Sequence, residues 1–145
     1  MLVLDANILI RAVLGSRVLH LIRKYAGQVE FVVPDAMLLE AREQLPGILE
    51  RRGIPVGPAM ISLDSLGNLV STVEFGTYAP HEASARNRLA RRDEDDWPVL
   101  ATALALRCAI WTEDTDFFGC GVATWTSDRV ALYLSPLALQ DTGGD

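Results

Sequence analysis

The sequence predicts an α/β protein, a three-layer α/β/α sandwich around a central, mainly parallel sheet of about five strands. Three observations carry that expectation. Short apolar runs of strand length alternate with longer segments of helical periodicity. Acidic residues follow directly on the first and fourth of these runs, with no internal repeat or low-complexity stretch to break the alternation. The length, 145 residues, suits one domain with a real core.

The elements follow in order. Met1 to Leu4 is an apolar run ending at Asp5, a buried first strand with an acid at its carboxyl end. Asn7 leads with Ile8, Leu9 and Ile10 into a helix that Gly15-Ser16 breaks. Ser16 can cap the next helix, where Val18, Leu21, Ile22 and Tyr25 fall at i, i+3, i+4 and i+7, and Gly27 ends it. Glu30 to Val33 forms a second strand closed by Pro34, and Asp35 caps a helix that carries Ala36, Leu39 and Glu43 on one side and Met37, Glu40 and Ala41 on the next. Leu45-Pro46-Gly47 is expected to interrupt that helix, leaving a separate turn from Ile48 to Arg52. Residues 53–80 are the least legible: Gly53, Pro55, Gly57 and Pro58 mark a loop, a helix is open to Ala59–Leu66, and Leu69 to Phe75 alternates as a strand.

Pro80-His81-Glu82 opens a helical stretch to about Arg92. Pro98 suits the first turn of a helix, and Val99 to Arg107 is apolar nearly all round, so that helix packs on more than one side. Cys108 to Thr112 is a strand with the acidic exit Glu113-Asp114-Thr115-Asp116. Val122 to Thr126 is a last strand, Ser127 a cap, and Arg129 to Leu137 a final helix. The domain is expected to span residues 1–140, with 141–145 as a mobile tail.

Composition excludes several classes. Thirteen basic against nineteen acidic residues give a net charge of −6, which argues against nucleic-acid binding by bulk electrostatics. It leaves open an enzyme whose carboxylates hold divalent cations, because the loaded site is no longer negative. Lys24 is the single lysine; all other basic residues are arginine, the better fork for phosphate oxygens. No apolar run reaches the roughly 18 residues of a membrane span. The start, Met1-Leu2-Val3-Leu4-Asp5, has neither the basic opening nor the cleavage signature of a secretory signal, so a cytoplasmic location is expected. Cys108 and Cys120, with His20 and His81, match no zinc spacing and read as free thiols.

The acids carry the functional expectation. Open parallel sheets take ligands at the carboxyl ends of their strands. Asp5 and Asp114 each follow a strand, Asp96 stands at the amino end of a buried helix, and Glu40 lies in the helix after the second strand, so four acids can meet at one edge. Taken singly, each has a plain structural use as a cap, a turn residue or a solvated helix position. Taken together, converging carboxylates repel unless a cation joins them. Hard oxygen donors without cysteine or essential histidine point to Mg²⁺ or Mn²⁺.

Four segments resemble the PIN-domain family, close to the VapC-type toxins of toxin–antitoxin pairs. They are Leu4-Asp5-Ala6-Asn7-Ile8-Leu9-Ile10, Leu39-Glu40, Asp96-Trp97-Pro98-Val99-Leu100-Ala101-Thr102-Ala103-Leu104, and Trp111-Thr112-Glu113-Asp114-Thr115-Asp116-Phe117-Phe118. The resemblance spans residues 1 to about 128 and implies a PIN-like fold and a Mg²⁺- or Mn²⁺-dependent endoribonuclease. It implies Asp5, Glu40, Asp96 and Asp114 as catalytic metal ligands, Asp116 as a further ligand, and Asn7 and Thr112 as residues that orient them. Asp95 is the alternative to Asp96. Arg11, Arg91 and Arg92, with Arg86 and Arg88 as further candidates, would meet RNA phosphates. Expected partners are an RNA substrate, an antitoxin protein and a second copy in a homodimer, with no membrane. Leu9, Val13, Leu38 and Leu45 are candidates for an antitoxin groove, against a plain core role for each.

The rival readings differ in chemistry. A haloacid-dehalogenase-like phosphatase needs an aspartate where Asn7 stands, and a receiver domain needs a lysine after its last strand. A catalytically inactive PIN-like scaffold that binds RNA or protein is the remaining alternative.

Overall fold

The computed structural model describes residues 1–90 and 94–135. Its centre is β1 (Leu2–Leu4), three completely buried aliphatic residues. A strand apolar on both faces belongs in the middle of a sheet covered on both sides. β1 pairs in parallel with β2 (Phe31–Pro34) through Leu2–Phe31 and Val3–Val32, and on its other edge with β4 (Ala109–Trp111) through Leu2–Ala109, Val3–Ile110 and Leu4–Trp111. β3 (Ser71–Val73) and β5 (Thr124–Trp125) add at the two margins, also in parallel. The order is β3-β2-β1-β4-β5. The α/β/α sandwich and parallel five-stranded sheet expected from the sequence are therefore what the chain forms.

The helices are α1 (Ala6–Leu14), α2 (Arg17–Tyr25), α3 (Asp35–Arg52), α4 (Val56–Leu66), α5 (Phe75–Tyr78), α6 (Glu82–Leu89) and α7 (Trp97–Leu106), and residues 130–135 are helical again. The chain leaves β1 toward β2 and β3 in one direction, then crosses to β4 and β5 in the other. Right-handed crossovers in opposite directions put their helices on opposite faces. Accordingly α1 packs with α2, α3 and α4, whereas α7 packs with α5, α6 and the central strands.

Four expectations are corrected. Helix α3 does not stop at Leu45-Pro46-Gly47 but runs through Pro46 to Arg52. Leu45 and Leu49 on either side of the proline are completely buried, so packing against α1 and α4 outweighs one missing hydrogen bond. The helix instead ends at Gly53, whose left-handed conformation (φ 67°) lets its own N–H reach Glu50 O and Ile54 N–H reach Leu49 O. Secondly, α4 starts at Val56, inside the stretch read as loop, with Pro55 as its flank. Thirdly, the stretch opening at Pro80 is a 3₁₀ turn (Ala79–His81) feeding α6, preceded by the short α5. Finally, strand β3 keeps only Ser71–Val73 of the expected Leu69–Phe75, because Leu69 N–H is still turned back to Leu66 O after α4 and Glu74 and Phe75 already begin α5.

Cys108 and Cys120 are free thiols. Among the described residues, no helix is long and apolar enough to cross a membrane. Arg91, Arg92, Asp93 and the tail segment 136–145 lie outside the described residues.

Candidate active site

Every strand is parallel, so all five carboxyl ends share one edge. The strand order reverses at β1, which opens a crevice between the ends of β1 and β4. That reversal is where open α/β sheets take their ligands. Asp5 follows β1 there, and Thr112-Glu113-Asp114 follow β4.

Asp5 turns the chain from strand into helix. Its Oδ1 accepts Ala6 N–H at 2.7 Å and so caps α1, while Oδ2 accepts the Thr112 hydroxyl at 2.8 Å and the Asn7 amide at 3.2 Å. The carboxylate is only 3% exposed. Burying such a group is tolerable because hydrogen bonds meet it from three sides. Thr112, completely buried, also accepts Asp114 N–H at 2.9 Å and the Asn7 amide at 3.2 Å. One hydroxyl has one proton and two lone pairs, so Thr112 is saturated and its orientation fixed. Asn7 Oδ1 in turn accepts Glu113 N–H at 3.2 Å, and Asp114 Oδ1 accepts Asp116 N–H at 2.9 Å to shape the 3₁₀ turn Thr115–Phe117. Asp5, Asn7, Thr112 and the backbone of 113–116 thus form one connected hydrogen-bonded unit across the crevice.

Asp96 is 8% exposed and stands at the amino end of α7, next to Trp97 and Pro98; Asp95 beside it is exposed. A crossover helix runs antiparallel to its strands, which puts that amino end at the same sheet edge. Glu40 is half-buried on α3, roughly 7 Å along the axis from Asp35 at the helix start. Asp116 is half-buried beside Asp114. The donors gathered by the Asp5 unit are carboxylate, hydroxyl and carboxamide oxygens without histidine or cysteine, which suits a hard divalent cation in chemistry. Among the described residues, no group of three or more acidic, histidine or cysteine side chains already stands at ion-holding distance.

The arginines separate. Arg11 is exposed and lies 3.8 Å from Glu113 at the mouth of the crevice. Arg86 pairs with Glu82 at 2.9 Å and covers the Trp97 ring at 5.3 Å, and Arg88 donates to Cys120 O at 3.1 Å. Of the groove candidates, Leu9 and Leu45 are completely buried and serve the core, and Leu38 packs partly buried against it. Val13 lines a mainly apolar depression of about 170 Å³ with Leu19, Ile61, Leu66 and Leu69, where Arg23, Ser62 and Ser65 add polar groups.

Two features have no counterpart in the sequence reading. Asp35, read there as a cap, does accept Ala36 N–H at 2.7 Å, but it also accepts the Tyr78 hydroxyl at 2.5 Å and Phe75 N–H at 3.0 Å. Burial, reinforced by the Asp35 carboxylate, pushes the Tyr78 hydroxyl far above the ordinary tyrosine range. Ser127, read as a helix cap, instead accepts the Trp111 indole N–H at 3.0 Å, and its own N–H donates to Glu113 Oε1 at 2.8 Å. Both are pairings between segments far apart in the chain, for which no local pattern exists.

The PIN domain family model matches residues 3–135. Among solved structures, the chain is similar to VapBC2 from Rickettsia felis bound to a DNA fragment from its promoter, with TM-score 0.69 and 12% identity over 86% of this chain and 97% of that one. It is also similar to FitAB bound to an IR36 DNA fragment (TM-score 0.58, 20% identity, 88% and 95% covered) and to FitAcB from Neisseria gonorrhoeae (0.57, 21%, 88% and 98%). Among curated proteins, none matches the chain in sequence. The family match takes in both strands that flank the crevice and the acids at their ends, and the chain belongs to the PIN domain family.

Proposed function

We propose that this chain is a metal-dependent endoribonuclease and the toxin of a toxin–antitoxin pair. The observation that carries the reading is the Thr112 hydroxyl, which ties Asp5 Oδ2 to Asp114 N–H across the point where the strand order reverses. Asp5, Glu40, Asp96, Asp114 and Asp116 would hold Mg²⁺ or Mn²⁺. Bound there, the ion supplies an activated water and polarises the scissile phosphate. The protein's part is to hold its acids in place. Asp5 is fixed by Ala6, Asn7 and Thr112, and the Asp114 turn is fixed through Thr112. The half-buried Glu40, Asp114 and Asp116 would complete the set, and one of the acids would serve as the proton acceptor for the attacking water.

The partner reading rests on the similar structures, which include VapBC2 and FitAB on DNA. An apolar segment of an antitoxin would seat on the depression at Val13, Leu19 and Ile61, and the working unit would be a homodimer.

The test is cleavage of single-stranded RNA by purified protein. Mn²⁺ or Mg²⁺ should be required, EDTA should stop the reaction, and Asp5→Asn should abolish it. This variant can keep the cap on Ala6 N–H but turns an amide N–H toward Thr112 and Asn7, so it should melt somewhat earlier than wild type while its circular dichroism still reports the folded chain. RNA cleavage by Asp5→Asn at the wild-type rate would falsify the assignment. RNA binding by the wild type with no cleavage under any metal would favour the inactive scaffold.

A further inference from the structure

We propose that a cavity walled by Arg11, Arg17 and Arg52 seats a backbone phosphate of single-stranded RNA beside the carboxylate crevice. The inference rests on the nuclease reading and extends it to substrate binding. The cavity measures about 530 Å³ and lies between α1, the start of α2, the end of α3 and the loops after β4 and β5. Arg11, Arg17 and Arg52 line it together with two acidic residues, Glu113 and Asp128. That leaves a local surplus of positive charge on a chain whose net charge is −6.

Both acids already have partners of their own. Glu113 Oε1 accepts Ser127 N–H at 2.8 Å, and Asp128 accepts the Thr126 hydroxyl. Arg11 reaches Glu113 only loosely, at 3.8 Å. Among the described residues, Arg17 and Arg52 form no ion pair within 4.0 Å, although acids abound elsewhere on the surface. The Thr126 hydroxyl foremost holds the Asp128 carboxyl below the usual range, and Arg17 is close enough to help. Three arginines still outnumber two acids around this concave space, and guanidinium forks suit a phosphate, whose oxygens they meet two at a time.

The position of the cavity points the same way. Glu113, a wall of the cavity, has its N–H held by Asn7 Oδ1, and the same Asn7 holds Asp5 Oδ2. The cavity and the carboxylate unit therefore share a wall. A strand whose scissile phosphate lies at Asp5 and Asp114 would pass directly into the arginines with the next part of its backbone. The shared wall explains how an acidic chain could recruit a polyanion: the attraction is local.

The experiment sets removal of the cavity's cations against removal of a cation elsewhere. Arg17→Gln/Arg52→Gln empties the cavity of two cations, whereas Arg107→Gln removes a cation from the opposite, amino-terminal edge of the sheet. Affinity for a short labelled single-stranded RNA is read by anisotropy at several salt concentrations in an Asp5→Asn background with Mn²⁺. The double variant should bind roughly tenfold or more weakly at low salt, with a salt slope shallower by about 0.7 for each phosphate that the protein no longer neutralises. Arg107→Gln should bind within about twofold of its parent. In the active chain, the double variant should raise KM for RNA and leave kcat nearly unchanged. Equal behaviour of the double variant and Arg107→Gln overturns the phosphate site, including the case in which the arginines serve an acidic protein partner. The nuclease reading is judged separately, by whether Asp5→Asn abolishes cleavage.

Discussion

The Thr112 hydroxyl donates to Asp5 Oδ2 at 2.8 Å and accepts Asp114 N–H at 2.9 Å, so one buried oxygen sets the spacing between the two strand-end acids. Valine has the same shape but no hydroxyl. Thr112→Val should cut RNA cleavage by about 10- to 100-fold and raise the Mn²⁺ concentration needed for half-maximal rate. It should also cost about 1–3 kcal/mol of stability, because it leaves buried partners unmatched. Thr112→Ser, which keeps the oxygen, should restore most of the rate and the Mn²⁺ dependence. A purely structural role would let Thr112→Val melt earlier while its Mn²⁺ dependence stayed put.

Asn7 presents its amide to Asp5 and its carbonyl oxygen to Glu113 N–H, both at 3.2 Å. Asn7→Asp keeps the size but sets a second carboxylate against Asp5, where like charges repel. Without metal, the variant should therefore unfold at lower temperature than wild type. Adding Mn²⁺ should raise its melting temperature by more than it raises that of wild type, because a cation relieves the repulsion. Calorimetry with and without Mn²⁺ checks this, and equal metal responses in the two proteins would mean that no ion binds next to position 7.

The legible parts of this molecule are those written in local pattern. Leu2-Val3-Leu4 followed by Asp5, and Ala109-Ile110-Trp111 followed by Thr112 and acids, announce buried strands with polar exits. Parallel pairing then puts those exits on one edge without further information. Pro46 misled because a propensity rule was weighed without the core: Leu45 and Leu49 are anchored by neighbours that the local sequence does not name. The Asp35–Tyr78 tie and the placing of Arg17 and Arg52 on one cavity are illegible for the same reason. Each depends on where helices from distant segments come to rest.

Pro46 sits inside α3 with no N–H for the preceding turn, and its ring is partly exposed. Pro46→Ala restores that hydrogen bond and improves helix propensity, offset by a more flexible unfolded chain. The net expectation is a gain of about 1–2 kcal/mol, smaller than the roughly 3 kcal/mol of an unaccommodated proline because this helix is already held by its packing. Urea unfolding should show a higher midpoint at unchanged slope. A lower midpoint would show that α3 is built around a bend that the proline supplies.

Tyr78 donates to Asp35, which also receives Ala36 and Phe75 N–H groups, and so ties α5 to the start of α3. Burial first, and the neighbouring carboxylate second, hold the Tyr78 hydroxyl protonated well above its ordinary pKa of 10.0. A group whose folded pKa is raised contributes its full stabilisation below the unfolded value and loses it as pH climbs toward the folded one. The wild type should therefore lose stability progressively from about pH 10 upward as the unfolded chain, but not the folded one, ionises at this position. Tyr78→Phe removes both the bond and the titration. It should be less stable than wild type by about 1.5–3 kcal/mol at neutral pH, the range for a hydrogen bond to a charged group. Above pH 10 the gap should narrow, since only the wild type carries this alkaline penalty. Parallel urea titrations of the two proteins between neutral pH and pH 11 read the difference directly, and a gap that stays constant would mean that Tyr78 ionises no less readily in the folded chain than in the unfolded one.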